Sequence, residues 1–148
     1  MSDCEPNIRD ARLDDLDSIY QIELKSFPDP YPRGLLKAFF FLPGAVIVAV
    51  SGGEVIGYAI GMIREDEIGH IISIAVDENK RRHGVGKTLL EGLIDRLSRE
   101  GAKKIVLEVR KSNLEAKRLY QKFGFEKKKE IAGYYKGGEA AEVMELTL

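Results

Sequence analysis

The sequence contains one cysteine, Cys4, and no long apolar run. A single cysteine excludes an internal disulfide, and the polar segment around Cys4 favours an incidental thiol over a catalytic one. No apolar stretch reaches the roughly 18 residues that a membrane-spanning helix needs. The first ten residues also lack the basic start and apolar stretch of a signal peptide. We therefore expect a cytoplasmic protein with no membrane partner.

An excess of either charge is absent as well. The chain has 23 Lys and Arg against 24 Asp and Glu, a net charge of −1, which gives no overall attraction to nucleic acid. The basic clusters at 103–104 and 127–129 have no interleaved aromatic residues that could stack on bases. We interpret these clusters as solvated strand and loop charge, and we expect no nucleic-acid partner.

The composition is that of a soluble globular protein, with 44% hydrophobic and 32% charged residues. A chain of 148 residues is long enough to bury about two-thirds of the surface that its unfolded form exposes. One substantial core is therefore expected. Because the sequence has no linker, repeat or low-complexity tract, we expect residues 1–148 to form one domain.

Hydrophobic periodicity predicts an α/β domain with a mixed sheet. Short apolar runs bounded by turn residues indicate strands, and apolar residues at three- and four-residue spacing indicate helices. The clearest helical stripe runs from Val85 to Leu97 and ends before Gly101. The predicted order is β-α-α-β-β-β-α-β-α-β-β. The predicted strands span 7–11, 45–50, 55–63, 70–76, 104–110, 125–131 and 141–148, and the other helices begin near residue 13 and span 35–41 and 112–123.

Local signals mark the boundaries of these elements. The glycine pair of SGGE (51–54) indicates a tight hairpin between two strands. Three prolines in SFPDPYPRG (26–34) break the first helix and form a stiff connection to the second. The spacing of Ser112 and Glu115 is that of a capping box at the start of the last helix.

The segment RRHGVGKT (81–88) ends like a nucleotide-binding P-loop, but Arg81 stands where the first glycine of that motif must be. A dinucleotide fingerprint would require glycine in place of Leu89, so it fails as well. What remains is a basic turn before a helix whose first amides are unpaired and whose dipole favours an anion. Two interpretations stay open from these residues alone: a phosphate cradle around Gly84 and Gly86, or a solvated basic turn.

Two segments, HIISIAVDENKRRHGVGKTLL (70–90) and LEVRKSNLEAKRLYQKFGF (107–125), resemble the GNAT superfamily of acetyl-CoA-dependent N-acetyltransferases. The resemblance covers nearly the whole chain and implies the GNAT acyl-CoA N-acyltransferase fold. It also implies that residues 81–86 bind the coenzyme pyrophosphate and that the strand backbone at 74–76 pairs with the pantetheine arm. It implies no metal. The implied acetyl-CoA contacts are Ile74, Ala75, Val76, Arg81, Arg82, His83, Gly84, Val85, Gly86, Lys87, Thr88, Asn113 and Tyr120.

Acetyl transfer from a thioester needs a neutral amine, a stabilised oxyanion and a proton for the departing thiolate. The resemblance implies that Glu108 is the base, that Tyr120 protonates the thiolate and that a backbone amide near Ala75 or Val76 stabilises the oxyanion. Strand alternation points Glu108 away from its apolar neighbours, so a solvent-facing carboxylate is the alternative. Tyr120 could instead be a core aromatic, and its two roles are compatible.

His70 begins the third apolar strand, and its titration range suits a catalytic proton relay. The resemblance supports this role less directly than it supports Glu108, and a structural hydrogen bond is the open alternative. His83 lies within the glycine loop, where we expect its side chain to face solvent or coenzyme. Asn113 could belong to a helix cap set by Ser112, and this role is compatible with a coenzyme contact.

Two further segments, SFPDPYPRGLLKAFF (26–40) and AGYYKGGEAAEVM (132–144), resemble N-terminal protein acetyltransferases of this superfamily. In those relatives the corresponding loops flank the peptide N-terminus. The first loop would line the pocket for the first side chain, and the second would bind the peptide backbone. The alternative is that these aromatic residues only pack the loops. The implied substrate residues are Phe27, Pro28, Tyr31, Tyr134 and Tyr135.

The resulting prediction is an enzyme that moves an acetyl group from acetyl-CoA to the α-amine of a peptide or protein N-terminus. The resemblance lies between archaeal N-terminal acetyltransferases and the ribosomal-protein alanine N-acetyltransferase, so a ribosomal protein is one candidate partner. Acetylation of lysine side chains, polyamines or another small amine is the alternative within the same reaction class. A non-catalytic module that binds CoA or another anion is the alternative from a different class. The sequence indicates no particular oligomeric state.

Overall fold

The computed structural model describes residues 6–81 and 83–148, so Cys4 and Arg82 lie outside the described residues. Its elements follow the predicted order, and the prediction of an α/β fold with a mixed sheet is confirmed. Single 3-10 turns, Leu13–Asp15 and Glu78–Lys80, precede the first and third helices. The strands are β1 (Asn7–Asp10), β2 (Gly44–Ser51), β3 (Glu54–Ile63), β4 (Ile68–Val76), β5 (Lys104–Arg110), β6 (Glu126–Ile131) and β7 (Ala141–Thr147). The helices are α1 (Leu16–Ser26), α2 (Arg33–Phe39), α3 (Val85–Arg99) and α4 (Leu114–Lys122).

The sheet has the strand order β1-β2-β3-β4-β5-β7-β6, and β4 and β5 are its parallel pair. These two strands pair only from Ile68 opposite Lys104 to His70 opposite Val106. Beyond His70, β4 stays paired with β3 and β5 stays paired with β7. The sheet therefore divides into two halves, and the carboxyl-terminal parts of β4 and β5 form the walls of a cleft.

Each face of the sheet carries its own apolar cluster. Strand alternation sends Ile47 and Ala49 of β2 towards α3, whereas Val48 faces the cluster that contains α1 and α2. Burying one leucine side chain stabilises the fold by about 1.5–3 kcal/mol, and α3 contributes four buried leucines and one buried valine. The buried residues of α3 are Val85, Leu89, Leu90, Leu93 and Leu97, which confirms the predicted stripe.

The hairpin between β2 and β3 forms at the predicted glycine pair. Gly52 and Gly53 have φ values of +58° and +80°, the left-handed conformations that a two-residue hairpin turn requires. The predicted second helix is displaced by two residues, because α2 begins at Arg33 and not at Leu35. Pro32 precedes this helix and its carbonyl accepts the Leu36 amide at 3.1 Å, so the helix starts directly after the last proline.

The predicted capping box of the last helix is wrong. The cap of α4 is Asn113, whose side-chain oxygen accepts the Ala116 amide at 3.1 Å. Ser112 lies one residue too early to cap this helix, and Glu115 stands at its second position. Asparagine caps a helix as well as serine does. With Ser112 and Asn113 adjacent, the sequence does not determine which of the two is the cap.

None of the helices in the described ranges is long and apolar enough to cross a membrane.

Candidate active site

The glycine loop forms an exposed helix N-terminus close to the carboxyl end of β4. Gly84 has φ of +78°, and a Cβ at this position would meet nothing within 4 Å, so the backbone conformation is what favours glycine. Both the amide and the Oγ1 of Thr88 donate to the Gly84 carbonyl, each at 3.0 Å. The amides of residues 85–87 have no acceptor within the helix. They can therefore hold an anion at the positive end of the helix dipole.

Arg81 lies at the base of this loop and connects it to two other elements. Its Nε donates to the Val76 carbonyl at 2.9 Å, and its guanidinium also donates to Ser26 Oγ at 3.2 Å. The side chain therefore holds the loop against the ends of β4 and α1. The side chains of His83 and Lys87 are exposed, as we expected for His83.

The cleft between the separated strands has a volume of about 470 Å³. Residues from β4, including Ile74, line one wall, and residues from β5 and α4 line the opposite wall. Ile74, Ala75 and Val76 pair with β3 on one side, while β5 has diverged on the other. This arrangement leaves room beside β4 for an extended ligand whose polar groups pair with the strand.

Glu108 projects into the cleft from β5, opposite to the buried side chains of Leu107 and Val109. Its Oε1 lies 2.8 Å from His70 Nε2, across the point where β4 and β5 separate. An ionised carboxylate only accepts hydrogen bonds, so Nε2 of His70 carries the donated proton in that state. The structure thus brings into contact the two residues that we predicted as base and relay. The side chain of Glu108 is 21% exposed and that of His70 is 26% exposed.

Tyr120 lines the same cleft from α4 and packs edge-on against Phe125, with ring centroids 5.6 Å apart. Burial raises the pKa of the Tyr120 phenol to about 12. A phenol with this pKa remains protonated throughout the physiological range and can act as a proton donor there. Tyr120 is therefore a packed aromatic that also lines the cleft, and its role as the proton donor to the thiolate stays a prediction.

Asn113 also combines two features, because it caps α4 and lines the cleft.

Two aromatic loops close the other end of the cleft. Phe27, Pro28 and Tyr31 lie in the connection between α1 and α2, while Tyr134 and Tyr135 lie between β6 and β7. All five predicted substrate residues therefore line one cavity. Burial, together with the charge of the nearby Glu108 carboxylate, raises the pKa of the Tyr134 phenol, so this hydroxyl is a hydrogen-bond donor at neutral pH.

Arg110 links the two aromatic loops. It donates to Asp29 of the first loop at 2.6 Å and to Glu139 of the second at 3.0 Å. Its guanidinium also lies 4.2 Å from the centroid of the Tyr135 ring. Hydrogen bonding to Ser112 and to Arg110 lowers the pKa of the Glu139 carboxyl to about 2, so the link keeps its charge at any physiological pH.

Glu23, Asp29 and Arg110 were not predicted from the sequence, although all three line the cleft. One signal for Glu23 was available, since it stands seven residues after Leu16 and four after Ile19, on the buried stripe of α1. A carboxylate at an apolar position of a helix needs polar partners from elsewhere in the fold. The partners of Arg110 are 81 and 29 residues away in sequence, and no local pattern predicts such pairs.

Within residues 6–81 and 83–148, no group of three or more His, Cys, Asp or Glu residues is placed to hold a metal ion.

The resemblance to acetyltransferases implied a helix N-terminus after β4, with Glu108 and Tyr120 at the reaction centre. The structure brings Glu108 and Tyr120 to one cleft and adds the separation of β4 from β5, which the sequence did not predict. A family model described as the Acetyltransferase (GNAT) family matches residues 16–125. The chain belongs to this family and is an acetyltransferase.

Relatives and solved structures agree with this assignment. The chain is 35% identical over 158 residues to an N-alpha-acetyltransferase of Saccharolobus solfataricus, covering 93% of this chain and 90% of the relative. It is 34% identical over 140 residues to the ribosomal protein bS18-alanine N-acetyltransferase of Escherichia coli K12, covering 90% and 92%. The crystal structure of Ard1 from Thermoplasma volcanium superposes with a TM-score of 0.92 at 29% identity, covering 97% of both chains.

Proposed function

We propose that this acetyltransferase moves an acetyl group from acetyl-CoA to the α-amine of a peptide or protein N-terminus. The observation that carries this proposal is the position of Glu108. Its carboxylate, hydrogen-bonded to His70, lies in a cleft that is closed by two aromatic loops. An extended peptide that entered between these loops would bring its terminal amine to the carboxylate. The similarity to an N-alpha-acetyltransferase supports the same acceptor.

In this proposal the coenzyme would lie along β4 and reach the glycine loop. The pyrophosphate of acetyl-CoA would accept hydrogen bonds from the amides of residues 85–87, and its pantetheine arm would lie along β4 at Ile74–Val76. The open space at Gly84 allows a phosphate to approach the backbone closely. Asn113 lines the cleft beside this path.

The free energy of deprotonation favours an α-amine over a lysine side chain. At pH 7 an α-amine with pKa of about 8 costs about 1.4 kcal/mol to deprotonate, whereas a lysine amine near 10.4 costs about 4.6 kcal/mol. A single carboxylate paired with a histidine is a modest base. It is therefore matched to an N-terminus and not to a lysine, for which the neutral fraction is roughly 200-fold smaller.

The proposed reaction is a direct attack on the thioester. The amine nitrogen forms a bond to the acetyl carbon, the carbon–sulfur bond breaks, and an amide and free CoA result. Glu108 accepts the proton that the amine loses, and His70 can pass that proton towards solvent. Tyr120 donates its phenolic proton to the departing thiolate and recovers one from solvent.

The test is to locate the acetyl group on a peptide that carries both a free N-terminus and an internal lysine. Incubation with acetyl-CoA followed by tandem mass spectrometry should place the modification on the α-amine. Modification at the lysine alone would contradict the proposal and favour the alternative acceptor. Coenzyme binding by calorimetry without release of CoA, across a peptide panel, would instead indicate a non-catalytic module.

A ribosomal protein N-terminus is the more specific acceptor that one relative favours. The name of the Escherichia coli relative states that it acts on ribosomal protein bS18, and the match covers 92% of that relative. We include a peptide with N-terminal alanine in the panel for this reason. A preference for that peptide of more than about tenfold over other first residues would support this narrower substrate.

A further inference from the structure

Glu23 is a buried carboxylate that the proposed reaction does not use. It is 2% exposed and lies in α1, at the inner end of the cleft. Its partners are neutral donors and not a cation. Tyr58 of β3 and Ser73 of β4 donate their hydroxyl protons to Oε1, the latter at 2.9 Å, and the Tyr31 amide donates to Oε2 at 2.9 Å.

An ionised group in the core is costly unless hydrogen bonds replace its water. A residue of similar size without charge would fill the same space, so packing alone does not explain a glutamate here. What the carboxylate adds is four lone-pair positions that point in different directions. Glu23 uses three of them to join α1, two strands and the loop that begins at residue 27.

The loop between α1 and α2 has few backbone amides with which it can be attached, although Arg110 also binds it through Asp29. Prolines at 28, 30 and 32 have no amide proton, so Asp29 and Tyr31 carry the only amide donors in the segment 28–32. Glu23 holds this loop at both ends. Its backbone carbonyl accepts the Phe27 amide at 3.2 Å, and its side chain accepts the Tyr31 amide at 2.9 Å.

The same carboxylate also fixes the wall opposite the loop. Ser73 lines the cleft together with its neighbour Ile74, and it follows an irregularity in the pairing of β4 with β3. Tyr58 and Ser73 are 3.0 Å apart and converge on one oxygen of Glu23. One side chain therefore sets the separation between the aromatic loop and the strand.

We propose that Glu23 is a positioning residue for the acceptor: its buried carboxylate holds Tyr31 and β4 at a fixed separation and so determines which first side chains the pocket admits. This inference rests on the proposed function, because it assigns the pocket to the first residue of a peptide.

The first test reads the hydrogen bond directly and does not depend on the acceptor. Amide hydrogen exchange is followed by NMR on the wild-type protein. Exchange should be at least about 100-fold slower at Tyr31 than at Asp29, because the Tyr31 amide donates to a buried carboxylate and the Asp29 amide does not. Equal exchange at the two amides would overturn the proposal. This measurement requires no variant, so it is decisive even if a substitution prevents folding.

The second test uses Glu23→Leu, with Glu23→Gln as the conservative variant. Leucine fills a similar volume, and the Tyr58 and Ser73 hydroxyls can bond to each other, but the Tyr31 amide loses its acceptor. We expect the peptide KM to rise about tenfold, and the ratio of kcat/KM values between peptides with small and large first residues to fall towards one. Glutamine retains an acceptor oxygen and should restore that ratio to within about twofold of wild type. The ratio is measured within one enzyme preparation, so it does not depend on the folded fraction.

Tyr58→Phe is the matched control, since it removes one donor to Glu23 without touching the Tyr31 amide. It should lower the melting temperature and leave the first-residue ratio unchanged. A wild-type ratio in Glu23→Leu, or an equal loss of discrimination in Tyr58→Phe, would show that Glu23 only stabilises the fold and would overturn the proposal. If wild-type enzyme acetylates no N-terminus at all, the proposed function fails, whereas the exchange result at Tyr31 stands separately.

Discussion

The proposed coenzyme side of the cleft is formed mainly by one stretch of chain, whereas the proposed peptide side is formed by several. Residues 70–81 and 83–88 supply the strand edge, the turn and the helix N-terminus that face the proposed coenzyme, and they do so largely through backbone groups. The peptide side combines the α1–α2 loop, the end of β5 and the β6–β7 loop, held together by side chains such as Arg110 and Glu23. A site that binds through backbone groups can keep its affinity when many of its side chains are substituted. A site made from distant side chains can change its specificity through single substitutions.

Glu108 lies where the two sides meet, and its substitution should have the largest effect. Glu108→Gln keeps the size of the side chain but removes the base, so kcat should fall about 1,000-fold while the calorimetric Kd for acetyl-CoA stays unchanged. Glu126→Gln changes an exposed strand carboxylate and serves as the matched control. Wild-type kcat in Glu108→Gln would remove this residue from the base role.

Tyr120→Phe should have the next largest effect, because it removes the proton for the thiolate and leaves the aromatic packing in place. We expect kcat to fall about 100-fold with little change in the peptide KM. Tyr20→Phe, on α1, controls for the loss of a phenol elsewhere.

The pH profile of the wild-type enzyme tests the same assignment. The acid must be protonated to act, and its pKa is raised from 10.0 to about 12, so its function is retained at low pH and lost only as the pH approaches 12. Activity should therefore rise as the α-amine deprotonates near pH 8 and should not decline between pH 9 and pH 10.5. A decline centred near pH 10 would mean that the catalytic acid has an ordinary phenol pKa and is not Tyr120 with its raised pKa.

Gly84→Ala tests the coenzyme side alone. The left-handed φ of +78° would strain any other residue, so the KM for acetyl-CoA should rise about tenfold with an unchanged peptide KM. Gly53→Ala places the same substitution at φ of +80° in the β2–β3 hairpin, also in open space. It should lower stability without changing either KM. Equal effects of the two variants on the acetyl-CoA KM would contradict a local phosphate site.

Arg110→Ala tests the peptide side and should have the smallest effect, because ion pairs near the surface contribute little individually. We expect the peptide KM to rise about threefold and the acetyl-CoA KM to stay at the wild-type value. Arg33→Ala breaks an exposed ion pair with Asp17 and controls for the loss of a surface charge. A change in the acetyl-CoA KM of Arg110→Ala, with no change for peptide, would reverse our assignment of the two sides.

The same contrast explains what the sequence could predict. The glycine loop, Glu108 and Tyr120 lie in continuous segments with recognisable spacing, and the structure places all three in or beside one cleft. The contact between His70 and Glu108 was not predicted, because the sequence indicated the order of the strands along the chain but not which strands lie side by side. The position of the α4 cap was wrong by one residue because serine and asparagine compete equally for it.

The residues that the sequence could not assign are those whose role depends on distant partners. Nothing in the sequence distinguishes Arg110 from the other arginines, and its role follows from its ion pairs with Asp29 and Glu139. Glu23 is a carboxylate on an otherwise apolar stripe, and its position is explained by the Tyr31 amide and the two hydroxyls that donate to it. Such contacts depend on how loops fold over the sheet, and spacing along the chain does not specify that.

The rate of CoA release with two matched peptides tests the central claim most directly. The peptides share one sequence with an internal lysine, and they differ only in that one has a free N-terminus and the other an N-formyl group. We predict that the free peptide supports turnover, that the blocked peptide stays at background, and that Glu108→Gln abolishes the difference. Equal rates with both peptides would contradict acetylation of the α-amine.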